Sequence, residues 1–459
     1  MHLDTLLGPV GARPIEAALV GAGEFGRTFI SQMILAPGMS ARVACDLDVE
    51  QGVKSFAAAG VPDAKICRTL EEAQAAFEAG HSIVVPDASI AAGLPVDVIV
   101  EATGDPEAAA AIAELGFAKG KHVVMATKEA ESVVGPLLAH RARQAGVVYT
   151  PAEGDQPSLL IGLVSWCRLL GLEILVAGKA SEFDFVYDPT AAEITAHGKT
   201  LRSLEFDAMW RAEGAGAARI AQERSALLKD FWRRTTPDLC EMTIVANATG
   251  LMPTRPDLHA PVARTLELPD VFAPPADGGL LETPGALDIF NCLRRPDEMS
   301  FAGGVFVLVA APDVATGLLL RQKGIPASAD GKRFLVSNIV HLLGAEAPMS
   351  ILSACRSGKS TAGDDLRPRV DLSARASAPI PLGTKFALGW RHAIDSVFAQ
   401  MTPATPLGDA NAVPHYLLPG SVAKVDIPEG ATITGAMIER PAESALWRMR
   451  AEQDALFAS

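Results

Sequence analysis

Apolar and polar positions in the first third of the chain alternate in blocks that read as strand, turn and helix. Ile15–Val20 is a short apolar run ending in Gly21-Ala22-Gly23-Glu24-Phe25-Gly26, and an amphipathic stretch from Phe25 to Leu35 follows it. Ala41–Cys45 is a second β-like run ending at Asp46, and Pro95–Ala102, His122–Ala126 and Val147–Thr150 repeat the pattern between Ala-rich helical stretches. Strands alternating with helical segments predict βαβ units on a parallel sheet, and abundant Ala suits helices lying close against it.

Around Pro157 the pattern changes. Ser158–Leu170 predicts one long buried helix, and Glu173–Ala177, Met242–Ala246 and Gly304–Ala310 predict strands. Residues 200–235 read as polar and helical, and 252–286 as a Gly/Pro-rich connection. Strands and helices without regular alternation predict an α+β domain. From Leu366 short apolar runs sit between dense Pro and Gly, which predicts a small β-rich module, and Glu443–Leu456 predicts a closing amphipathic helix. The expected divisions are 1–157 for a dinucleotide-binding domain, 158–365 for an α+β substrate and dimerisation domain, 366–440 for the β-rich module and 441–459 for the C-terminal helix. Residues 335–365 are expected to be able to pack back onto the first domain.

With 459 residues, 49% of them hydrophobic and 20% charged, the chain is neither disordered nor a solvating polymer. The net charge of −14 argues against nucleic acid as a partner, so an anionic substrate would need a local group of Lys and Arg. No apolar run approaches the roughly 20 residues that cross a bilayer, and the stretch from Met1 to Pro14 lacks the pattern of a secretory leader. The six Cys are far apart with no CxxC pair, which fits reduced thiols. The expectation is a cytoplasmic protein with a small-molecule substrate, no nucleic-acid or membrane partner, and assembly as a homo-oligomer.

Gly21-x-Gly23-x-x-Gly26 follows a strand and opens a helix, the setting in which this spacing binds a dinucleotide. Gly21 permits the tight turn, Gly23 lets backbone N–H groups approach a pyrophosphate, and Gly26 lets helix and strand pack closely. Glu24 and Phe25 complete the loop. Asp46 stands twenty positions after Gly26, where a carboxylate accepts hydrogen bonds from a ribose diol and repels a 2′-phosphate. A Rossmann-type first domain that prefers NAD to NADP follows. The same glycines would equally serve a helix–strand turn, and Asp46 a helix cap.

Ligands in such sheets sit beyond the carboxyl ends of the strands. Thr103-Gly104 ends one strand and is placed to line the nicotinamide ribose. Lys128 ends the next, flanked by carboxylates, and Glu153 and Asp155 follow the last strand of this domain. Carbonyl reduction needs a proton donor and a group to hold the substrate oxygen, and Lys128 and Lys179 suit either task. Asp155 is expected to orient a lysine. Glu153 and Asp155 together could supply oxygen ligands to a divalent ion, leaving a metal requirement open. Ser357–Thr361 resembles a P-loop but has Ser353 where the upstream glycine belongs, so Arg356 and Lys359 remain only as candidates for binding a substrate anion. His259 and His341 complete the candidate substrate contacts; a structural role is the alternative for each.

The first 155 residues resemble the cofactor domain of the homoserine dehydrogenase family through Gly21–Gly26, Val96–Glu107 and Lys119–Glu131. In that family the lysine standing where Lys128 does lies in the active site. A longer similarity is to the deoxyxylulose 5-phosphate reductoisomerase-like branch. It rests on Gly154–Pro157, Ala177–Lys179, Ala246–Leu251, Leu258–Pro261, Asp277–Gly279, His341 with Glu346, and Gly358-Lys359. Leu366–Phe386 and Leu417–Ile438 are similar to an SAF module. The branch implies skeletal rearrangement of a sugar phosphate followed by NADPH-dependent reduction. This chain departs from it in the acid at Asp46 and in the acids of the loop Lys179–Asp184, which speak against a phosphorylated substrate.

The expected function is hydride transfer between nicotinamide and a small polar hydroxy or keto substrate, homoserine-dehydrogenase-like. A reductoisomerase of a sugar phosphate or sugar acid is the first rival. A non-catalytic NAD-binding sensor or assembly module is the second.

Overall fold

The computed structural model describes residues 13–458. The stretch read for a leader thus lies outside the described residues except for Arg13 and Pro14. The first unit is a seven-stranded parallel sheet in the order β3-β4-β2-β1-β5-β6-β7, where β1 is Ile15–Val20, β2 Met39–Cys45, β3 Lys65–Ile66, β4 Ile83–Val85, β5 Val98–Glu101, β6 His122–Met125 and β7 Tyr149–Pro151. Between them run α1 (Glu24–Met33), α2 (Val49–Ala58), α3 (Leu70–Glu78), α4 (Ala88–Gly93), α5 (Pro106–Ala118) and α6 (Lys128–Gln144). β1 is buried along its whole length because helices cover both faces of the sheet. Asp48, Thr69, Asp87 and Asp105 cap the starts of α2 to α5 through their side chains.

α7 (Gln156–Leu169) leads from β7 to a nine-stranded mixed sheet. Its strands are β8 (Ile174–Ala180), β9 (Phe185–Asp188), β10 (Glu193–Ala196), β11 (Lys199–Arg202), β12 (Met252–Pro253), β13 (Val262–Ala263), β14 (Ala286–Arg294), β15 (Val305–Ala310) and β16 (Arg333–Asn338). β14 lies parallel to β8, and β15 antiparallel to β8 on its other side. One face, with Ala177, Ile289 and Val307, shares an apolar cluster with α7 and with a helix over Thr236–Thr249. The other face packs on α8 (Ala217–Leu227) through Ala221, Phe290 and Phe306.

That Thr236–Thr249 helix, α9, corrects the strand expected at Met242–Ala246. Thr235 and Asp238 form a reciprocal capping box, Pro237 sits in the first turn, and Gly250 ends the helix at φ 74°. The apolar run is a buried helical segment, which a run this short cannot distinguish from a strand. Of the stretch 200–235 only α8 is α-helical; it opens in β11 and continues through turns.

Further along are α10 (Leu268–Val271), α11 (Val314–Gln322) and α12 (Ala347–Leu352). Ala347 and Ile351 of α12 join the apolar cluster beneath the first sheet with Phe29 and Ala152. The β-rich end of the chain pairs β17 (Val370–Ala376) with β18 (Val397–Pro403), and β19 (Val422–Ala423) with β20 (Ile438–Glu439), both antiparallel. Last comes α13 (Ala445–Phe457), tied to β17 by the buried Arg450 guanidinium, which donates to both oxygens of Asp371 at 2.6 and 2.8 Å.

α13 also completes α6. Pro136 lies inside α6 and interrupts its hydrogen-bond ladder. There the Leu137 N–H donates to Gln453 Oε1 at 3.1 Å, and Gln453 Nε2 donates to the Val133 carbonyl at 2.9 Å. A buried amide from the end of the chain thus stands in for one helical bond. Among the described residues no helix is long and apolar enough to cross a membrane.

Candidate functional site

Strand order reverses between β1 and β5, and the crevice at their carboxyl ends is where open α/β sheets take ligands. The backbone leaves β1 through Gly21 at φ +98°, where a Cβ would lie 2.4 Å from the Ala102 carbonyl oxygen; a Cβ at Gly26 would lie 2.3 Å from the Gly21 carbonyl oxygen. Both positions must be glycine for the protein's own packing. Gly23 is different: a Cβ there would meet nothing within 4 Å. α1 begins after Gly23 without a side-chain cap, so the N–H groups of Glu24, Phe25 and Gly26 have no helical acceptor and point at the open side. Three glycines, one of them facing open space at a helix N-terminus, fit a pyrophosphate.

A cavity of about 720 Å³ adjoins this turn, lined in part by Gly21, Asp46, Leu47 and Thr103. Asp87, Asp105 and Glu107 line it too, and among the described residues no lysine or arginine does. Asp46 is held by two backbone donors, Ala22 N–H to Oδ2 at 2.8 Å and Asp48 N–H to Oδ1 at 2.9 Å. A carboxylate has lone pairs left for ribose hydroxyls after two such bonds. The Thr103-Gly104 turn is pinned from below: Thr103 N–H donates to Glu101 Oε1 at 2.8 Å, and Gly104 N–H to Thr127 Oγ1 at 3.0 Å. Burial pushes the Glu101 carboxyl up to about 7.

The second half of the site is built where the two sheets meet. Lys128 opens α6 after β6, Asp155 caps α7 after β7, Lys179 lies near the end of β8, and α9 supplies Asp238 and Glu241. Asp238 and Glu241 are three residues apart, so one helix face presents both. Glu241 bridges the lysines: Lys128 Nζ donates to its Oε1 at 2.6 Å, and Lys179 Nζ donates to its Oε2. Lys179 Nζ also donates to Gln156 Oε1 at 2.6 Å and lies 2.9 Å from Asp238 Oδ1. Three oxygens therefore surround this ammonium, whose side chain is 1% exposed. Lys128 is 22% exposed and, among the described residues, its ammonium meets Glu241 and, at 3.3 Å, Asp155, which leaves one of its three donors for a ligand.

The electrostatics follow from this packing. Burial alone would lower Lys128, but Asp155 and Glu241 outweigh it and hold the ammonium well above its ordinary value. Burial would raise Glu241, but the two lysines outweigh it and bring the carboxyl down to about 2. Lys128 and Glu241 thus hold each other in their charged forms, which makes Lys128 a cation rather than a base.

His341 stands at the edge of this cluster, with Nε2 3.8 Å from Asp155 Oδ1. Burial, joined by the two lysines, pushes its imidazole below the ordinary value in spite of Asp155 and Glu241. Nearby, burial and Glu346 raise Glu153 to about 7, and the Glu153 N–H donates to Ser350 Oγ at 2.8 Å. Among the described residues no group of three or more His, Cys, Asp or Glu side chains is disposed to hold a metal ion.

The remaining sequence candidates lie elsewhere. His259 pairs through Nδ1 with the buried Asp288 at 2.6 Å, and Asp288 also accepts the His259 and Ala260 N–H groups. It lies between Leu258 at φ 56° and Ala260 at φ 48°, a strained turn fixed by that carboxylate. Arg356 sits in the π-helical turn Ser353–Ser357 that continues from α12. Lys359 is 64% exposed and faces Asp364 at 3.4 Å.

Glu241, Asp238 and Gln156 were not singled out from sequence, although Glu241 meets both lysines and Asp238 and Gln156 meet Lys179. The signal that could have found the acids was the capping box itself. Thr235-Thr236-Pro237-Asp238 announces a helix start, and a helix there puts Glu241 beside Asp238.

Residues 154–347 match the family model of the oxidoreductase DRL catalytic domain. No curated protein matches the chain. Among solved structures, an oxidoreductase from Agrobacterium radiobacter in complex with NAD+, L-tartaric acid and magnesium is 16% identical, covering 38% of this chain and 44% of that one, with a TM-score of 0.27. Myo-inositol dehydrogenase from Lactobacillus casei is 14% identical, covering 38% and 47%, with a TM-score of 0.28. A DOX-P reductoisomerase in complex with NADPH, fosmidomycin and magnesium is 18% identical, covering 37% and 45%, with a TM-score of 0.27. The chain spans less than half the length of each of these, and likenesses of this size bear on neither cofactor nor substrate.

Proposed function

We propose that the protein is a nicotinamide-dependent oxidoreductase that transfers hydride between the cofactor and a hydroxyl- or keto-bearing carbon of a small polar substrate, with NAD preferred to NADP. One observation carries this reading. The open glycine turn and the partly free Lys128 stand at the carboxyl ends of neighbouring strands of one sheet, β1 and β5 for the turn and β6 for the lysine. The match of residues 154–347 to an oxidoreductase catalytic-domain model supports it.

Gly21, Gly23 and Gly26 with the first N–H groups of α1 would hold the pyrophosphate, Asp46 the adenosine ribose, and Thr103-Gly104 the nicotinamide ribose. Bound there, the nicotinamide supplies or accepts the hydride. Lys128 holds the substrate oxygen and stabilises the negative charge it gains on reduction. Lys179, enclosed by Glu241, Gln156 and Asp238, acts on Lys128 only through Glu241, and Asp155 orients Lys128 from the other side. The acids around the 720 Å³ cavity favour NAD, since a 2′-phosphate would meet Asp46, Asp87, Asp105 and Glu107 with no cation among the described lining residues.

Titration with NADH and NADPH, followed by nicotinamide fluorescence, tests the reading. NADH is expected to bind at least tenfold more tightly, and Asp46→Ala to erase that ratio; tighter NADPH binding by the wild type would overturn the assignment of Asp46. Lys128→Met is expected to keep NADH affinity and lose turnover. A second reading, reductoisomerase chemistry, draws on a coincidence of limits. The matched segment begins at Gly154 and ends just after Glu346, the first and almost the last of the motifs shared with that branch. It requires a product with a rearranged carbon skeleton, which NMR of the product would reveal.

A further inference from the structure

The β-rich C-terminal region sends one turn across to the lysine cluster. Trp390, Arg391 and His392 form it, and Arg391 and His392 both take left-handed backbone angles, φ 51° and 56°. Non-glycine residues persist there only where surrounding contacts fix them. The contacts are these. The Trp390 ring lies 5.8 Å from the Trp232 ring. Arg391 lies 4.5 Å from the Phe183 ring and 4.9 Å from the Trp390 ring, with Nη1 2.6 Å from Glu182 Oε2. His392 Nδ1 is 3.4 Å from Glu129 Oε1, on the residue next to Lys128. Glu182 in turn follows Ser181, whose Oγ donates to Asp238 Oδ2 at 3.0 Å, on the carboxylate facing Lys179.

We propose that Arg391 is a specificity-determining residue that binds an anionic group of the substrate, a carboxylate or a phosphate, in exchange for Glu182. This rests on the oxidoreductase reading, with the reacting oxygen held at Lys128. Two aromatic rings flank the guanidinium and orient it. Its buried Nη1 reaches the Glu182 carboxylate in distance but forms no aligned hydrogen bond with any acceptor among the described residues. A donor in that condition gains from an anion that can align with it. Glu182 is itself 35% exposed and can turn to water at little cost.

The surrounding charge points the same way. Lys199 Nζ lies 5.6 Å over the Trp232 ring, and Arg233 and Arg234 follow that tryptophan. Burial lowers both guanidinium pKa values, and like charge adds to it, from Arg234 on Arg233 and from Arg255 on Arg234, against the opposing pull of Asp257 on both and of Asp288 on Arg234. In a chain of net charge −14, these are cations an anion at Arg391 would meet, although Arg234 is itself paired with Asp257 at 3.4 Å. The acids of the loop Lys179–Asp184, read from sequence as disfavouring a phosphorylated substrate, are partnered: Glu182 by Arg391 and Asp184 by Arg294 at 2.5 Å.

Calorimetric titration of the full-length protein with inorganic phosphate and with malonate, each with and without saturating NADH, tests the proposal. Arg391→Gln is expected to weaken the anion by at least tenfold. Glu182→Gln, which removes the competing carboxylate, is expected to tighten it by threefold or more, a gain that loss of a merely structural ion pair would not produce. Response to malonate assigns the group as a carboxylate, and response to phosphate as a phosphate. Weakening by both substitutions, or no effect of either on either anion, overturns the proposal. Absence of NADH binding by the wild type would sink the oxidoreductase reading alone, because the anion titrations without NADH are read separately.

Discussion

Among the described residues Glu241 is the one carboxylate that both lysine ammonium groups of the cluster share, so its removal tests the whole cluster. The fall of its carboxyl from the ordinary 4.5 to about 2 corresponds to roughly 3 kcal/mol of favourable interaction at neutral pH. Breaking a buried ion pair by deleting one partner typically costs about 3–5 kcal/mol, which agrees. Glu241→Leu is therefore expected to destabilise by about 3 kcal/mol at pH 7, read as a lower urea midpoint by tryptophan fluorescence. Since the folded value lies below the ordinary one, the wild type holds this stability above pH 4.5 and loses it as pH falls toward 2. The gap between variant and wild type should narrow over that same interval. The companion measurement is the double variant Glu241→Leu with Lys179→Met, which removes one charge of each sign from a fully buried pair. Apolar replacements of such pairs are often close to neutral, so the double variant should recover at least half of the single variant's loss. Single-variant stability within about 0.5 kcal/mol of wild type, or strictly additive losses, would refute the reasoning.

Other expectations follow from the same geometry. Gly23→Ala should leave the urea midpoint unchanged but weaken NADH at least tenfold, whereas Gly21→Ala, at φ +98° and against the Ala102 carbonyl, should destabilise by about 2 kcal/mol or more. Gln453→Ala should cost about 2 kcal/mol by stripping the partners from Leu137 N–H and the Val133 carbonyl, with hydrogen exchange rising around Pro136. Burial, with Asp155, raises Glu131 to about 8, so the folded state holds that proton more tightly than the unfolded chain and stability falls as pH climbs from 4.5 through 8. Glu131→Gln should accordingly match the wild type near pH 4 and exceed its stability near pH 8.

Local signals made the first unit legible. The run Ile15–Val20, the glycine spacing and Asp46 carry their meaning within one βαβ stretch, and the sheet forms where they put it. Lys128, Asp155 and His341 were named from sequence, and the structure brings them together. What could not be read is pairing at a distance. Lys128 and Glu241 are 113 positions apart, and nothing in either neighbourhood announces the other. The misreading of Met242–Ala246 hid Glu241 further, because a strand there would have turned alternate side chains to opposite faces. Lys179 illustrates a different limit. A lysine after an apolar run can reach either solvent or a buried counter-ion, and only the capped helix packed against β8 decides between them.

The amide of Gln453 has a consequence for how the molecule is assembled. Pro136 emerges from the ribosome more than three hundred residues before Gln453 does, so the helix that opens with Lys128 waits that long for the amide that seals Leu137 N–H and the Val133 carbonyl. A product cut before Ala445 would carry every proposed active-site residue while lacking the amide that bridges the break in the helix that Lys128 begins.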